Sequence, residues 1–259
     1  TFMLVAGEAS GDTLAAELVG ALRAKVLEIE SEPTEDVQPL RTALAPQFFG
    51  AGGPRMAAVG VDLAFDLVQH SVLGVSDVLK NLRKFRRLFH DLLRLAVERQ
   101  PDVIIGVDYG GFNLRFAKAI RRHVSRHCTE FTPWNPRIVQ FVSPQVWASR
   151  PGRARVMEKT HDLLLSIFPF EREWYAKHAP HLRVEFAGHP IIGRSPTSEA
   201  RRPDPGNGPF VVMLPGSRWD EVRRHWPVVT AAFELLRQAL PALRGALVLP
   251  NNDLARSAS

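Results

Sequence analysis

Apolar residues in this chain gather in short runs, and between the runs they recur every three or four positions. The runs at 2–6, 47–50, 102–107, 137–142, 162–168 and 183–187 predict strands, with 61–67 as a further short one. Helices are predicted at 11–22, 75–98, 112–124 and 170–177; in the first, Leu14, Leu18 and Leu22 fall on one helical face and Asp12 stands where an N-cap belongs. Strands alternating with helices in this way predict a parallel sheet wound with helices. The polar, Pro-bearing stretch 27–45 reads as an exposed connection, and 127–136 as a second insertion.

A break follows. Pro196, Pro203, Pro205 and Gly206 interrupt any regular element, which makes 195–209 a linker between an N-terminal domain, 1–194, and a new unit, 210–259. That unit opens with a strand at 210–214, a turn at Pro215-Gly216-Ser217-Arg218, a helix at 227–240 begun by Pro227, and a strand at 246–249. The last strand runs into 251–259 with no helix to cover it, and a parallel strand needs cover on both faces. The expected fold class is therefore α/β: a Rossmann-like parallel sheet domain plus the incomplete start of a second Rossmann-like domain.

Composition narrows the options. At 259 residues and 45% apolar content the chain can bury a substantial core, so disorder is excluded. The lone Cys128 excludes a disulfide framework, and no His/Cys spacing suggests zinc. The apolar runs fall far short of the roughly 20 residues a membrane-spanning helix needs. Charge is more informative. In the 75–98 helix, Val78, Leu82, Phe85, Phe89, Leu92 and Ala96 form an apolar face, while Lys80, Arg83, Lys84 and Arg87 form a separate cationic stripe. Against an anionic membrane surface four such cations supply about 4 kcal/mol at most, enough for reversible adsorption; a solvated helix face is the ordinary use of such a stripe. The net charge of +6 fits the membrane reading and also nucleic-acid binding.

Candidate chemistry lies at the strand ends. Residues 3–12 carry a strand through Gly7, Glu8 and Ser10 into a helix at Gly11, the geometry of a ligand-facing loop or simply a tight βα connection, and neither a GxGxxG nor a P-loop pattern is present. Asp108 ends the apolar strand before Phe112-Asn113 and is either a general base at the sheet edge or a helix cap. Gly52-Gly53-Pro54-Arg55 forms another glycine-rich turn, in which Arg55 is a phosphate contact or the glycines simply shape a bend. Trp147, in a loop after a strand, is equally a core residue or a sugar platform. In the second unit, Gly216 and Ser217 precede Arg218, whose guanidinium suits a phosphate or pairs with Asp220 or Glu221.

Eight blocks occur in one order: AGEASGD at 6–12, GAGGPRM at 50–56, LGVSDVL at 73–79, PDVIIGVD at 101–108 with FNLRFAK at 112–118, FVSPQVWASR at 141–150, FPFE at 168–171, AGHP at 187–190 and LPGSRWDEV at 214–222. Together they resemble the bacterial lipid-A-disaccharide synthase family, whose members continue well beyond the equivalent of residue 259. The resemblance implies a GT-B glycosyltransferase that joins UDP-2,3-diacylglucosamine to 2,3-diacylglucosamine 1-phosphate in a β-1,6 linkage and releases UDP, inverting, with neither cofactor nor metal. It implies Asp108 as base and Arg218 as the cation for a diphosphate or phosphate. Glu8, Ser10, Gly11, Arg55, Asn113, Ser217 and Glu221 follow as substrate-side residues. Implied partners are the UDP-sugar donor, the acylated sugar phosphate acceptor and the inner face of the inner membrane, with a cytoplasmic location and no nucleic acid; a homodimer through the C-terminal part is also implied. One departure stands out: Gly110-Gly111 occupies the place of the family's usual Pro-Asp, so a second carboxylate is missing. A different nucleotide-sugar enzyme, such as an epimerase or another GT-B transferase, and a noncatalytic membrane-surface protein are the rival readings.

Overall fold

The computed structural model describes residues 1–31, 45–68, 82–129, 131, 133–192, 208–216 and 219–249, without the side chains of 27, 29–31, 82–84 and 219. By their contacts the residues divide into two compact units, Thr1–Leu73 with Val78–Gly193 and Gly74–Asp77 with Arg194–Ser259.

The first unit is built on seven parallel strands: β1 (Phe2–Ala6), β2 (Phe48–Gly52), β3 (Asp62–Asp66), β4 (Val103–Val107), β5 (Arg137–Phe141), β6 (Leu163–Ser166) and β7 (Val184–Phe186). Their order across the sheet is β3-β2-β1-β4-β5-β6-β7. The chain therefore winds outward in one direction from β1 through β3, then returns to the centre and winds the other way from β4. The reversal puts β1 beside β4, Ala6 opposite Val107, and opens a crevice at their carboxyl ends, where parallel α/β sheets bind ligands.

Connecting these strands are α1 (Ala9–Ser31), α2 (Pro54–Ala58), α3 (Leu82–Arg99), α4 (Gly110–His127), α5 (Val146–Ser149), α6 (Gly152–Thr160) and α7 (Pro169–His178). They cover the sheet in two layers, which explains the unbroken apolar strands. On one face Met3, Val5, Phe49, Ile104 and Ile138 pack with Leu92 and Ala96 of α3 and with Phe116 and Ile120 of α4. On the other, Leu4, Ala6, Phe48 and Ile105 pack with Ala15 and Val19 of α1 and with Met56 of α2. Each fully buried Leu, Ile or Phe here contributes roughly 1.5–3 kcal/mol. A third cluster, with Leu164, Met157 and Tyr175 at its centre, joins α6 and α7 to the β6–β7 side.

Three readings from the sequence need correction. Helix α1 begins before Gly11 and continues through Ser31, into the stretch expected to be a loop, because Leu27 and its neighbours are helix formers. Asp12 does not cap this helix: it lies inside α1's first turn, 1% exposed, and accepts the main-chain N–H groups of Gly53 (2.9 Å), Arg55 (2.9 Å) and Met56 (3.0 Å). It therefore caps α2, an element read from sequence as a mere bend. Helix α6 was also unforeseen; its mixture of Arg, Ala and Met shows little amphipathic signal at nine residues.

The second unit contains β8 (Phe210–Met213), α8 (Trp219–Ala239) and β9 (Arg244–Leu247), with β8 and β9 parallel, in βαβ order. Pro227 is not the start of α8 but lies inside it. Proline removes one i to i−4 hydrogen bond, yet eight helical residues, Trp219 to Trp226, precede it.

Candidate functional site

Two loops meet at the crevice. The first, after β1, carries Gly7 and Glu8 and leads into Ser10 on the first turn of α1; the second, after β4, carries Asp108 and Tyr109. Asp108 and Tyr109 both adopt left-handed backbone, φ 51° and 43°, a conformation that L side chains enter only under constraint. The constraints are visible. The Asp108 N–H donates to the Phe141 carbonyl (2.9 Å), and the Asp108 carbonyl accepts from Asn113 Nδ2 (2.9 Å) and Gln140 Nε2 (2.9 Å). Tyr109 lies directly over Gly7, where a Cβ would sit only 2.3 Å from the ring, and stacks on Phe112 with centroids 5.3 Å apart. Burial, followed by the charge of Glu8, pushes the Tyr109 phenol above its ordinary value.

With its backbone fixed by these three hydrogen bonds, Asp108 presents a half-buried carboxylate at the crevice. Ser10 Oγ, exposed on the first turn of α1, donates to Asp108 Oδ2 at 3.4 Å, a long contact. Gly11 permits this approach: a Cβ there would lie 3.3 Å from the Val107 carbonyl and 3.5 Å from Asp108 Cβ. Asn113 is also placed differently from the expectation of a substrate contact. It is 4% exposed, its amide nitrogen is committed to the Asp108 carbonyl, and its Oδ1 is buried without a hydrogen-bond partner.

On the same edge of the sheet an open groove of about 400 Å³ is lined by Phe141, Ala187, Gly188, His189, Pro190 and Ile192, at the carboxyl ends of β5 and β7. Its aromatic flank is a chain of rings: Trp147 against Phe170, Phe170 on Phe168, and Phe168 beside His189, with centroids 5.1, 5.8 and 5.8 Å apart. The flank is fixed by Glu171, 0% exposed, which accepts Trp147 Nε1 (3.1 Å) and the Phe168 N–H (3.2 Å), thereby capping α7. Ser143, by contrast, turns inward to Tyr175 (3.1 Å), whose phenol burial pushes up to about 12. The FPFE and SPQVW blocks thus pack against each other and reach the groove through the contact of Phe168 with His189. Sequence alone could not distinguish that use of Trp147 from core packing.

Arg55 is exposed at the start of α2, its N–H bound to Asp12. In the second unit Gly216, at φ 145°, lies against Glu221, where a Cβ would be 2.6 Å from Glu221 Cβ; His225 Nδ1 meets the Pro215 carbonyl at 2.7 Å. Ser217 and Arg218 lie outside the described residues, as does Lys80. Arg83 and Lys84 belong to α3, with side chains outside the description, and Arg87 is exposed on the same helix, whose Leu92 and Ala96 are buried as the apolar face requires.

A family model for lipid-A-disaccharide synthetase matches residues 2–257. The chain belongs to this family. Its sequence is 36% identical over 248 residues to the lipid-A-disaccharide synthase of Myxococcus xanthus, covering 93% of this chain and 57% of that protein. It is 36% identical over 249 residues to that of Alkalilimnicola ehrlichii, with the same coverages. To that of Pseudomonas aeruginosa strain UCBPP-PA14 it is 35% identical over 259 residues, covering 98% of this chain and 60% of the relative. The chain thus spans somewhat less than two thirds of the length of these curated relatives. Membership in a glycosyltransferase family accords with the fold class, a Rossmann-like sheet whose switch point carries the block ending in Asp108. Among the described residues no helix is long and apolar enough to cross a membrane, and no three His, Cys, Asp or Glu side chains cluster as metal ligands.

Proposed function

We propose that this lipid-A-disaccharide synthase family chain supplies the acceptor side of a glycosyl transfer from UDP-2,3-diacylglucosamine to 2,3-diacylglucosamine 1-phosphate. The observation that carries the proposal is the Asp108 carboxylate, held in left-handed backbone at the strand-order reversal, on the sheet edge where parallel α/β sheets bind ligands.

In this mechanism the acceptor's 6-hydroxyl lies within reach of Asp108. As its oxygen bonds to the donor's anomeric carbon, Asp108 takes the hydroxyl proton, the anomeric carbon–oxygen bond to phosphate breaks, and its electron pair leaves with UDP. One displacement inverts the anomeric centre and yields the β-1,6 linkage. Ser10, through its contact with Oδ2, orients the carboxylate, while Glu8 is assigned to a sugar hydroxyl and Arg55 to a phosphate. Arg218, with Ser217 before it and Glu221 to orient it, is assigned to the donor diphosphate or the acceptor phosphate, where a guanidinium binds bidentately. No metal or cofactor enters this scheme. The cationic residues Lys80, Arg83, Lys84 and Arg87 are assigned to reversible adsorption on an anionic membrane surface, and a homodimer through the family's C-terminal portion completes the proposal.

The test joins residues 1–259 to the remaining C-terminal portion of the Myxococcus xanthus relative and follows product by mass spectrometry. Asp108→Asn is expected to lower kcat roughly 10²–10⁴-fold, the ordinary contribution of a positioned base, with the fold unchanged. Undiminished transfer by a folded Asp108→Asn protein would exclude the role.

A further inference from the structure

Adjacent strands β4 and β5 both end in strained backbone. Asp108 has φ 51° and Val142 φ 67°, and for a β-branched residue such as valine this region is a true outlier. Such residues persist only where surrounding structure over-determines them.

One side chain reaches both ends. Gln140, on β5 and 1% exposed, places Nε2 2.9 Å from the Asp108 carbonyl, 3.3 Å from that of Phe141 and 3.2 Å from that of Val142. Two amide protons are shared among three carbonyl oxygens. Asn113 adds a second donor to the Asp108 carbonyl from α4. Both amides meet over Gly106, where a Cβ would stand 2.7 Å from Gln140 Oε1 and 2.8 Å from Asn113 Nδ2, so only glycine leaves them room. A buried amide in the middle of an apolar strand is costly unless its groups are satisfied, and here its donors go to the strand ends that border the crevice.

We propose that Gln140, together with Asn113 across Gly106, is a positioning residue for the transfer: it clamps the ends of β4 and β5 so that Asp108 faces the acceptor, without itself touching substrate. The proposal rests on Asp108 as the base. Displacement of a reacting group by about 1 Å costs on the order of 10²-fold in rate.

Gln140→Leu keeps the approximate volume and removes the donors; Gln140→Glu, nearly isosteric, replaces the donating nitrogen with oxygen. In the chimaeric enzyme each is expected to lower kcat about 10–100-fold with KM within about threefold. In an Asp108→Asn background neither should lower kcat further, because the clamp acts through Asp108. In the 259-residue chain itself, amide resonances of Asp108, Tyr109 and Val142 should shift while those of β1 to β3 stay in place. Full kcat in both variants, a loss that adds to that of Asp108→Asn, or unshifted loop resonances would overturn the clamp. An inactive-base result appears separately, as an Asp108→Asn protein that transfers normally while the loop resonances still move in the Gln140 variants.

Discussion

Replacing Asp12 with alanine separates two physical accounts of the same residue. As cap of its own helix, Asp12 would be worth about 1 kcal/mol. The structure instead shows a carboxylate 1% exposed that accepts three N–H groups of a different element, those of Gly53, Arg55 and Met56 at 2.9–3.0 Å. Two of these bonds are buried and the third is partly buried. Truncation leaves two donors without water or protein partners, at about 1–3 kcal/mol each, and adds a cavity in the packing between α1 and α2. The expected destabilisation of Asp12→Ala is therefore about 3–5 kcal/mol, with Asp12→Asn intermediate because its amide keeps one acceptor oxygen. Urea unfolding followed by circular dichroism gives the total. Amide hydrogen exchange gives the location: Gly53, Arg55 and Met56 should lose protection while α1 beyond its first turn keeps it. A cost of 1 kcal/mol or less, with exchange quickening at the start of α1 instead, would refute the reasoning.

Two further tests follow from the packing. Burial holds His161 neutral and lowers its pKa from 6.5 to about 4, so the unfolded chain binds its proton first as the solution is acidified. Stability from this group is fully present above pH 6.5 and lost toward pH 4, with about 2 kcal/mol gone by pH 5; a His161→Gln chain should show a correspondingly flatter urea midpoint between pH 7 and pH 5, and equal slopes would count against it. At Gly111, where an added Cβ meets nothing within 4 Å, Gly111→Asp should be accommodated in the first turn of α4 and stabilise the chain by about 1 kcal/mol through reduced backbone freedom and the helix dipole. A lower urea midpoint for this variant would show that the turn is not open as described, and transfer by the chimaera carrying it reports directly whether the family's second carboxylate aids the reaction.

The sequence by itself determined the alternation of strands and helices, because periodicity is a local property: apolar runs such as 103–107 can only be buried strands between two layers, and Leu92 and Ala96 fall on a face that has to meet them. It also marked Asp108 and the β1 loop, since a polar residue closing an apolar run is visible in one dimension. Only the tertiary structure decided what those residues touch. Strand order is set by which apolar faces fit one another, and it is the order that brings Ala6 beside Val107 and creates the crevice. Asp12 binds residues 41 to 44 positions away, and Gln140 grips a carbonyl 32 positions away. Neither partner leaves any trace in local spacing, because a hydrogen bond between distant segments depends on through-space distance, which chain position does not encode. The same reason kept the packing of Asn113 hidden: the resemblance implies a substrate-side residue, and only packing under the Asp108 loop shows its amide nitrogen bound to the Asp108 carbonyl.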